Sequence, residues 1–173
     1  MDEIELVALQ LNIVDLDKRE LIKALKEFFK IEELVDPDTF RIHGESSWMF
    51  LDEKLLANVL FFRMGIDKPF IANTWSDGGR FDERGLRPNI SEIVSNKTRA
   101  GRLYLSAHTM GKALDWHIKG MTSEDARKWA FDNSGFFPYK FRLENTLKGK
   151  QISWIHLDVY NSPSNPYCTL LNI

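Results

Sequence analysis

Ser106-Ala107-His108-Thr109-Met110-Gly111-Lys112-Ala113-Leu114-Asp115 is the stretch on which the reading of this chain turns. It fits the pattern S-x-H-x-x-G-x-A-x-D, whose five specified positions would coincide by chance in a chain of this size with a probability on the order of one in ten thousand, from average residue usage. Further on stands Trp154-Ile155-His156-Leu157-Asp158, on a predicted strand. His108 precedes a turn and Asp115 follows it on a strand, so the turn can bring imidazole and carboxylate to one metal. His156, from a neighbouring strand, completes a set of two imidazoles and one carboxylate. Three protein ligands leave a fourth position open, the mark of a catalytic rather than a structural zinc site. Gly111 permits the tight turn, and Ala113, two before Asp115 on the same strand face, keeps the metal side clear.

Outward from this motif, residues 102–108 and 112–118 have strand character on either side of the turn at Gly111. Residues 136–144 and 151–160 flank a glycine-containing loop at 145–150 and predict a hairpin. Thr122 predicts the cap of a helix that buries Ala126, Trp129 and Ala130 and stops at Gly135. Upstream, residues 69–73 read as a short buried strand. A helix beginning at Asp52 carries Leu55, Leu56, Val59, Leu60 and Phe62 inward and is closed by Gly65. Another, from Asp17, places Leu21, Leu25, Phe28 and Phe29 on one face and fades near residues 33–35, because Asp36-Pro37 biases the chain out of the helical region. Residues 36–50 then read as an irregular connection, residues 4–14 as a strand or an irregular arm, and the tail from Ser162 as a surface wrap. Residues 75–101 lack periodicity and hold four glycines. A connection of that length is functional or disordered. The sum is an α+β domain over residues 1–173: an N-terminal helical part at about 15–65, then a metal-site core at about 66–160, where a small antiparallel sheet carries the zinc site with helices packed on one side.

Composition narrows the function classes. The 173 residues are 43% apolar and 28% charged with a net charge of -2, so no basic field draws the chain to nucleic acid. One cysteine, Cys168, excludes a disulfide framework and a Cys-based zinc cluster. No apolar run approaches the ~18 residues of a membrane span. The first residues are acidic where a signal peptide would be basic, which predicts cytoplasmic synthesis. Of the four histidines, His43 follows no motif, whereas His108, His117 and His156 cluster.

At the motif residues the chain resembles the Hedgehog/DD-peptidase fold, meaning zinc D-alanyl-D-alanine carboxypeptidases and phage L-alanyl-D-glutamate endopeptidases. The ending Trp154-Ile155-His156-Leu157-Asp158 looks most like the branch whose last motif is an apolar pair followed by H-x-D. Upstream, Phe29-Lys30-Ile31-Glu32-Glu33-Leu34, Phe62-Arg63-Met64-Gly65 and Lys68-Pro69-Phe70-Ile71-Ala72-Asn73 are similar to that branch's segments before the metal motif. The resemblance covers roughly residues 28–160. It implies that His108, Asp115 and His156 bind Zn²⁺ and that the substrate is a peptidoglycan peptide. It also implies action on the cell wall, after release or as part of a phage particle.

Two positions depart from the family pattern. Many relatives carry an acidic general base three residues before the final histidine, where this chain has Ser153. Relatives also place an arginine after the strand matching residues 72–75 to hold a substrate carboxylate; here Arg80, Arg84 and Arg87 compete, with Arg80 and Arg87 favoured. Asp158, two residues from His156, can accept a proton or orient the ligand imidazole. His117 shares a strand face with Asp115 and can act as a fourth ligand, a proton shuttle or a partner of Asp158. Glu144 lies across the hairpin with its facing open. Ser106 is expected to be a turn or ligand-orienting hydroxyl at the substrate side. Ser153 also leaves open a second reading, a non-catalytic zinc-containing binding or structural protein of the same fold.

Overall fold

The computed structural model describes residues 1–160 and 166–173. Its described residues form six α-helices and a six-stranded, mostly antiparallel sheet, so the α+β class holds.

The helices come first. Helix α1 (Glu3–Val14) replaces the strand or arm expected there. Asp2 and Glu5 close a capping box at its start, and Leu6, Leu9 and Ile13 are buried at helical spacing. The segment is apolar nearly all round, with Ile4 and Leu11 left on the surface, and this blurs its period in the sequence. Helix α2 (Lys18–Leu25) starts at the expected cap, Asp17, but ends a full two turns early. Phe29, Ile31 and Leu34 still reach the core from the turns that follow, whereas Phe28 lies on the surface under the Arg63 guanidinium. Residues 36–50 are not irregular: Asp36 accepts from the Asp38 and Thr39 amides and Pro37 opens helix α3 (Pro37–His43). Asp-Pro, a breaker for the preceding helix, is here also the cap and first residue of the next. Helix α4 (Glu53–Ile66) is capped by Asp52 as expected. Gly65 does not end it; a Cβ there would lie 2.5 Å from the Trp129 ring, so its smallness serves packing.

The sheet follows, in the order β1 (Phe70–Ile71), β2 (Ala113–Ile118), β5 (Ile155–Asp158), β3 (Phe141–Leu147), β4 (Lys150–Gln151). The hairpin between β3 and β4 turns on Lys148 and Gly149, both at positive φ, as a two-residue turn of matching twist requires. Strand β6 (Cys168–Asn172) pairs parallel with β3, so this part of the tail extends the sheet instead of wrapping the surface. Residues 162–165 of that tail lie outside the described residues. Residues 102–106 form no ladder, contrary to the strand expected there; Leu103 and Leu105 are exposed. Within residues 75–101 helix α5 (Glu92–Arg99) forms, and helix α6 (Ser123–Asp132) is capped by Thr122 and buries Ala126 and Ala130 as expected.

Period-two alternation sorts the sheet into two chemistries. Leu114, Trp116 and Ile118 of β2, Ile155 and Leu157 of β5, and Phe141 and Leu143 of β3 join one hydrophobic cluster with the helices. Phe62 of α4 is its hinge-pin, stacked on Trp129 and edge-on to Phe70, Trp116 and Phe137. The intervening residues, Asp115, His156, Asp158, Arg142 and Glu144, are polar, and all five line a single cavity.

Candidate metal centre

Strand register builds this polar group. Asp115 of β2 lies directly opposite His156 of β5, and Asp158 of β5 lies opposite Arg142 of β3. Opposite residues of an antiparallel pair hold their Cβ atoms about 5 Å apart, close enough for side chains to bond. His108 arrives from the short 3₁₀ turn His108–Met110. Ser106 supports that turn: its hydroxyl accepts from the Thr109 amide, the turn role foreseen for it, and it also lines the cavity. Gly111 closes it at φ +65°, and a Cβ there would lie 2.0 Å from the Phe50 carbonyl oxygen, so this motif position has no room for a side chain.

One ligand atom each from His108, Asp115 and His156 lies within 4.8 Å of the others, and all three residues are buried. The bonds on the far side of each ring orient them. His108 Nδ1 donates to the Gly85 carbonyl at 2.8 Å, which turns Nε2 toward Asp115 Oδ2 at 3.3 Å and His156 Nδ1 at 3.2 Å. His156 Nε2 donates to Asp158 Oδ2 at 3.0 Å, which turns Nδ1 toward Asp115 Oδ1 at 2.7 Å. Asp158 is in turn held by Arg142 at 2.8 and 3.0 Å and accepts from the Tyr160 amide. Imidazole ligands whose second nitrogen is fixed by a carbonyl or carboxylate are the usual construction of a metal centre. Two nitrogens and one carboxylate oxygen converging on a buried point are a donor set able to hold a metal ion.

Charge is balanced tightly without one. Burial opposes charge on His156, but the Asp115, Asp158 and Glu144 carboxylates outweigh it and push its pKa up to about 10. Burial also opposes charge on Asp115, yet His108 and His156 hold its carboxyl well below the ordinary range. His108 is lowered, by burial first and then by Arg87 and His156. Burial likewise works against ionised Asp158, and His156 and Arg142 overcome it. The metal-free group is thus an imidazolium between two carboxylates beside a neutral imidazole. A divalent cation would take the place of the proton on His156 Nδ1.

The remaining candidate residues fall in different places. Arg87 donates to Asp115 Oδ2 at 2.8 Å and so is paired with a member of the triad. Arg80 is exposed and lies over the Phe81 ring. Arg84 stacks closely on the same ring and bonds His117 Nδ1 at 2.7 Å. That bond takes His117 out of the triad's cavity and into a separate cleft bordered by Ser153. Burial, then the Arg84 charge, lowers its pKa. Glu144, whose facing was open, points into the triad's cavity, with Oε1 3.9 Å from His156 Nε2. Among the described residues it is the one cavity-lining carboxylate without an arginine partner. Sequence reasoning missed Arg142 and Gly85: Arg142 needs the β3–β5 register, and a carbonyl carries no residue signature.

Residues 79–91, which had no periodicity, are tied down by bonds from elements already named. Arg84 donates its amide to Asn73 Oδ1, Leu86 to the Leu34 carbonyl and Arg87 to the His108 carbonyl, while the Arg84 carbonyl accepts from Asp115. The segment is a strap across the site. Compared with protein-family models, with curated proteins and with solved structures, the chain matches none.

Proposed function

We propose that the chain is a zinc-dependent peptidase that hydrolyses peptide bonds of peptidoglycan, in the stem or the cross-link, as an enzyme encoded by a phage or prophage. The observation that carries this reading is the buried group of His108, Asp115 and His156 on the floor of a cavity of about 720 Å³, reached through the S-x-H-x-x-G-x-A-x-D motif. A mixed nitrogen and oxygen donor set with three protein ligands suits zinc held for catalysis. When bound, the ion supplies Lewis acidity, polarising a carbonyl and making water nucleophilic near neutral pH.

The chain's own residues divide the remaining work. Glu144 accepts the proton, since its carboxylate borders the triad and no arginine neutralises it. It takes the place of the acid absent at Ser153, whose carbonyl accepts from the Ser123 hydroxyl in the cleft that His117 borders. Asp158, with both oxygens committed to Arg142, His156 and the Tyr160 amide, orients His156 rather than exchanging protons with substrate. Arg87 orients Asp115. His117 serves Arg84 and takes no proton at the triad.

Purified protein supplied with Zn²⁺ is expected to release new amino termini from peptidoglycan. Ser153 in the base position favours the second reading, a non-catalytic zinc protein. One bound zinc per chain with no release establishes that reading and overturns the peptidase.

A further inference from the structure

Helix α1 carries more apolar surface than the fold uses. Leu6, Leu9 and Ile13 face the core, where the helix packs on α4 and on the turn Ser134–Phe136. On its outer side Ile4, Val7, Leu11 and Val14 are 81%, 40%, 62% and 43% exposed. A helix that is apolar all round is ordinarily a buried one. Here one stripe stands open to solvent, and it runs the length of the element.

The spacing of that stripe says what shape covers it. Residues 4, 7, 11 and 14 alternate steps of three and four, the a and d positions of a heptad repeat. A second helix fills such a seam by setting its own side chains between these positions. The flanking e and g positions hold Glu3, Ala8, Gln10 and Asp15, and Asp2 and Glu5 stand at the helix start. No lysine, arginine or histidine occurs among residues 1–17. The nearest cations in the sequence, Lys18 and Arg19, are engaged by the Met49 carbonyl and by Asp17. The rim of the seam is acidic at both ends and nowhere basic.

Charge then selects among occupants. A second copy would set acidic rim against acidic rim, whether the two helices ran parallel or antiparallel. An anionic membrane surface holds a helix of this kind through lysine and arginine on its polar flanks, and those are the residues missing. A helix whose own apolar seam is edged by lysine or arginine satisfies both features, because pairs of opposite sign across e and g set the choice of partner.

We infer that α1 is a docking surface for a basic amphipathic helix of another protein. The cavity stays open when the surface is occupied. Helix α4 lies between α1 and the sheet, reaching the sheet's apolar face through Phe62 and Trp116, and the triad lies on the opposite face. The surface uses no residue of the triad, so it stands independently of the peptidase reading.

The test uses two synthetic helical peptides of three heptads, both with leucine at a and d, one with lysine and one with glutamate at e and g. Fluorescence anisotropy with the full chain is expected to show the lysine peptide bound at least ten-fold more tightly, with a preference that shrinks in salt. Val7→Gln with Leu11→Gln should weaken the lysine peptide at least ten-fold; both positions are exposed, so the variant folds. Glu3→Lys with Asp15→Lys should reverse the preference between the peptides. Equal binding of the two peptides, or binding that these substitutions leave unchanged, overturns the inference. A dimer of the chain in sedimentation that the glutamine variant loses also overturns it, by making a second copy the occupant. Binding to phosphatidylserine-containing vesicles that the same variant loses overturns it in favour of a membrane.

Discussion

At the scale of single residues, the centre depends on groups that never touch a ligand. Asp158 holds His156 Nε2 and so turns Nδ1 into the triad, and Arg142 fixes Asp158. Asp158→Asn and Arg142→Met are each expected to weaken zinc binding by about 10–100-fold, the usual effect of removing such a support, with Arg142→Lys recovering part of the loss. Competition with a chromophoric chelator measures it; unchanged affinity would show that His156 is held by packing alone. Protonation gives a second expectation. His156 titrates near pH 10 in the folded metal-free chain, above its ordinary 6.5. Its stabilising contribution is therefore complete below about pH 6.5 and is lost as pH rises through about 10. Asp115 and Asp158 are lowered, so their contribution is present above the ordinary carboxylate range and is lost in acid. Zinc bound at His156 Nδ1 would replace its proton, so the affinity for zinc is expected to rise with pH. From about pH 7 to pH 9 the melting temperature of the metal-free chain should fall while the increase caused by zinc grows, and thermal melts at fixed zinc excess check both.

At the scale of elements, two glycines hold the pieces in place. A Cβ on Gly85 would lie 1.9 Å from the Leu34 carbonyl oxygen, and the Gly85 carbonyl is the acceptor for His108. Gly111 has the Phe50 carbonyl against it and a positive φ. Gly85→Ala and Gly111→Ala should each cost about 1–3 kcal/mol or more, because backbone rather than a movable side chain must give way. Both should lose zinc affinity along with stability, as denaturant melts and chelator competition would show. Gly111 was readable as a necessary turn, since the motif names it. Gly85 was not, because its need comes from a chain segment some 50 residues earlier. The same contrast runs through the helices. The caps at Asp17, Asp52 and Thr122 gave true starts, for a cap is local chemistry. Helix α1 was missed because apolar residues on all sides erase its period, and α3 because Asp-Pro reads equally as a stop and a start.

At the scale of the molecule, one cluster of aromatic rings joins the helical half to the sheet and sets the polar face opposite. Phe62 touches Phe70, Trp116, Trp129 and Phe137. Phe62→Ala should cost about 3–5 kcal/mol, yet leave zinc stoichiometry intact at temperatures where the chain stays folded. The triad of His108, Asp115 and His156, a group able to hold a metal ion, was legible because a spaced motif and a strand ending state its members outright. What surrounds them was not: Glu144 and Arg142 depend on strand register, and the roles of Arg84 and Arg87 depend on how the strap crosses the sheet. If His108, Asp115 and His156 hold one metal ion, elemental analysis of the chain after zinc loading and desalting will find it there. The expected result is one zinc per chain in the wild type and none in His108→Ala, Asp115→Ala or His156→Ala; a wild type without zinc, or variants that retain it in full, would rule out a metal centre at these three residues.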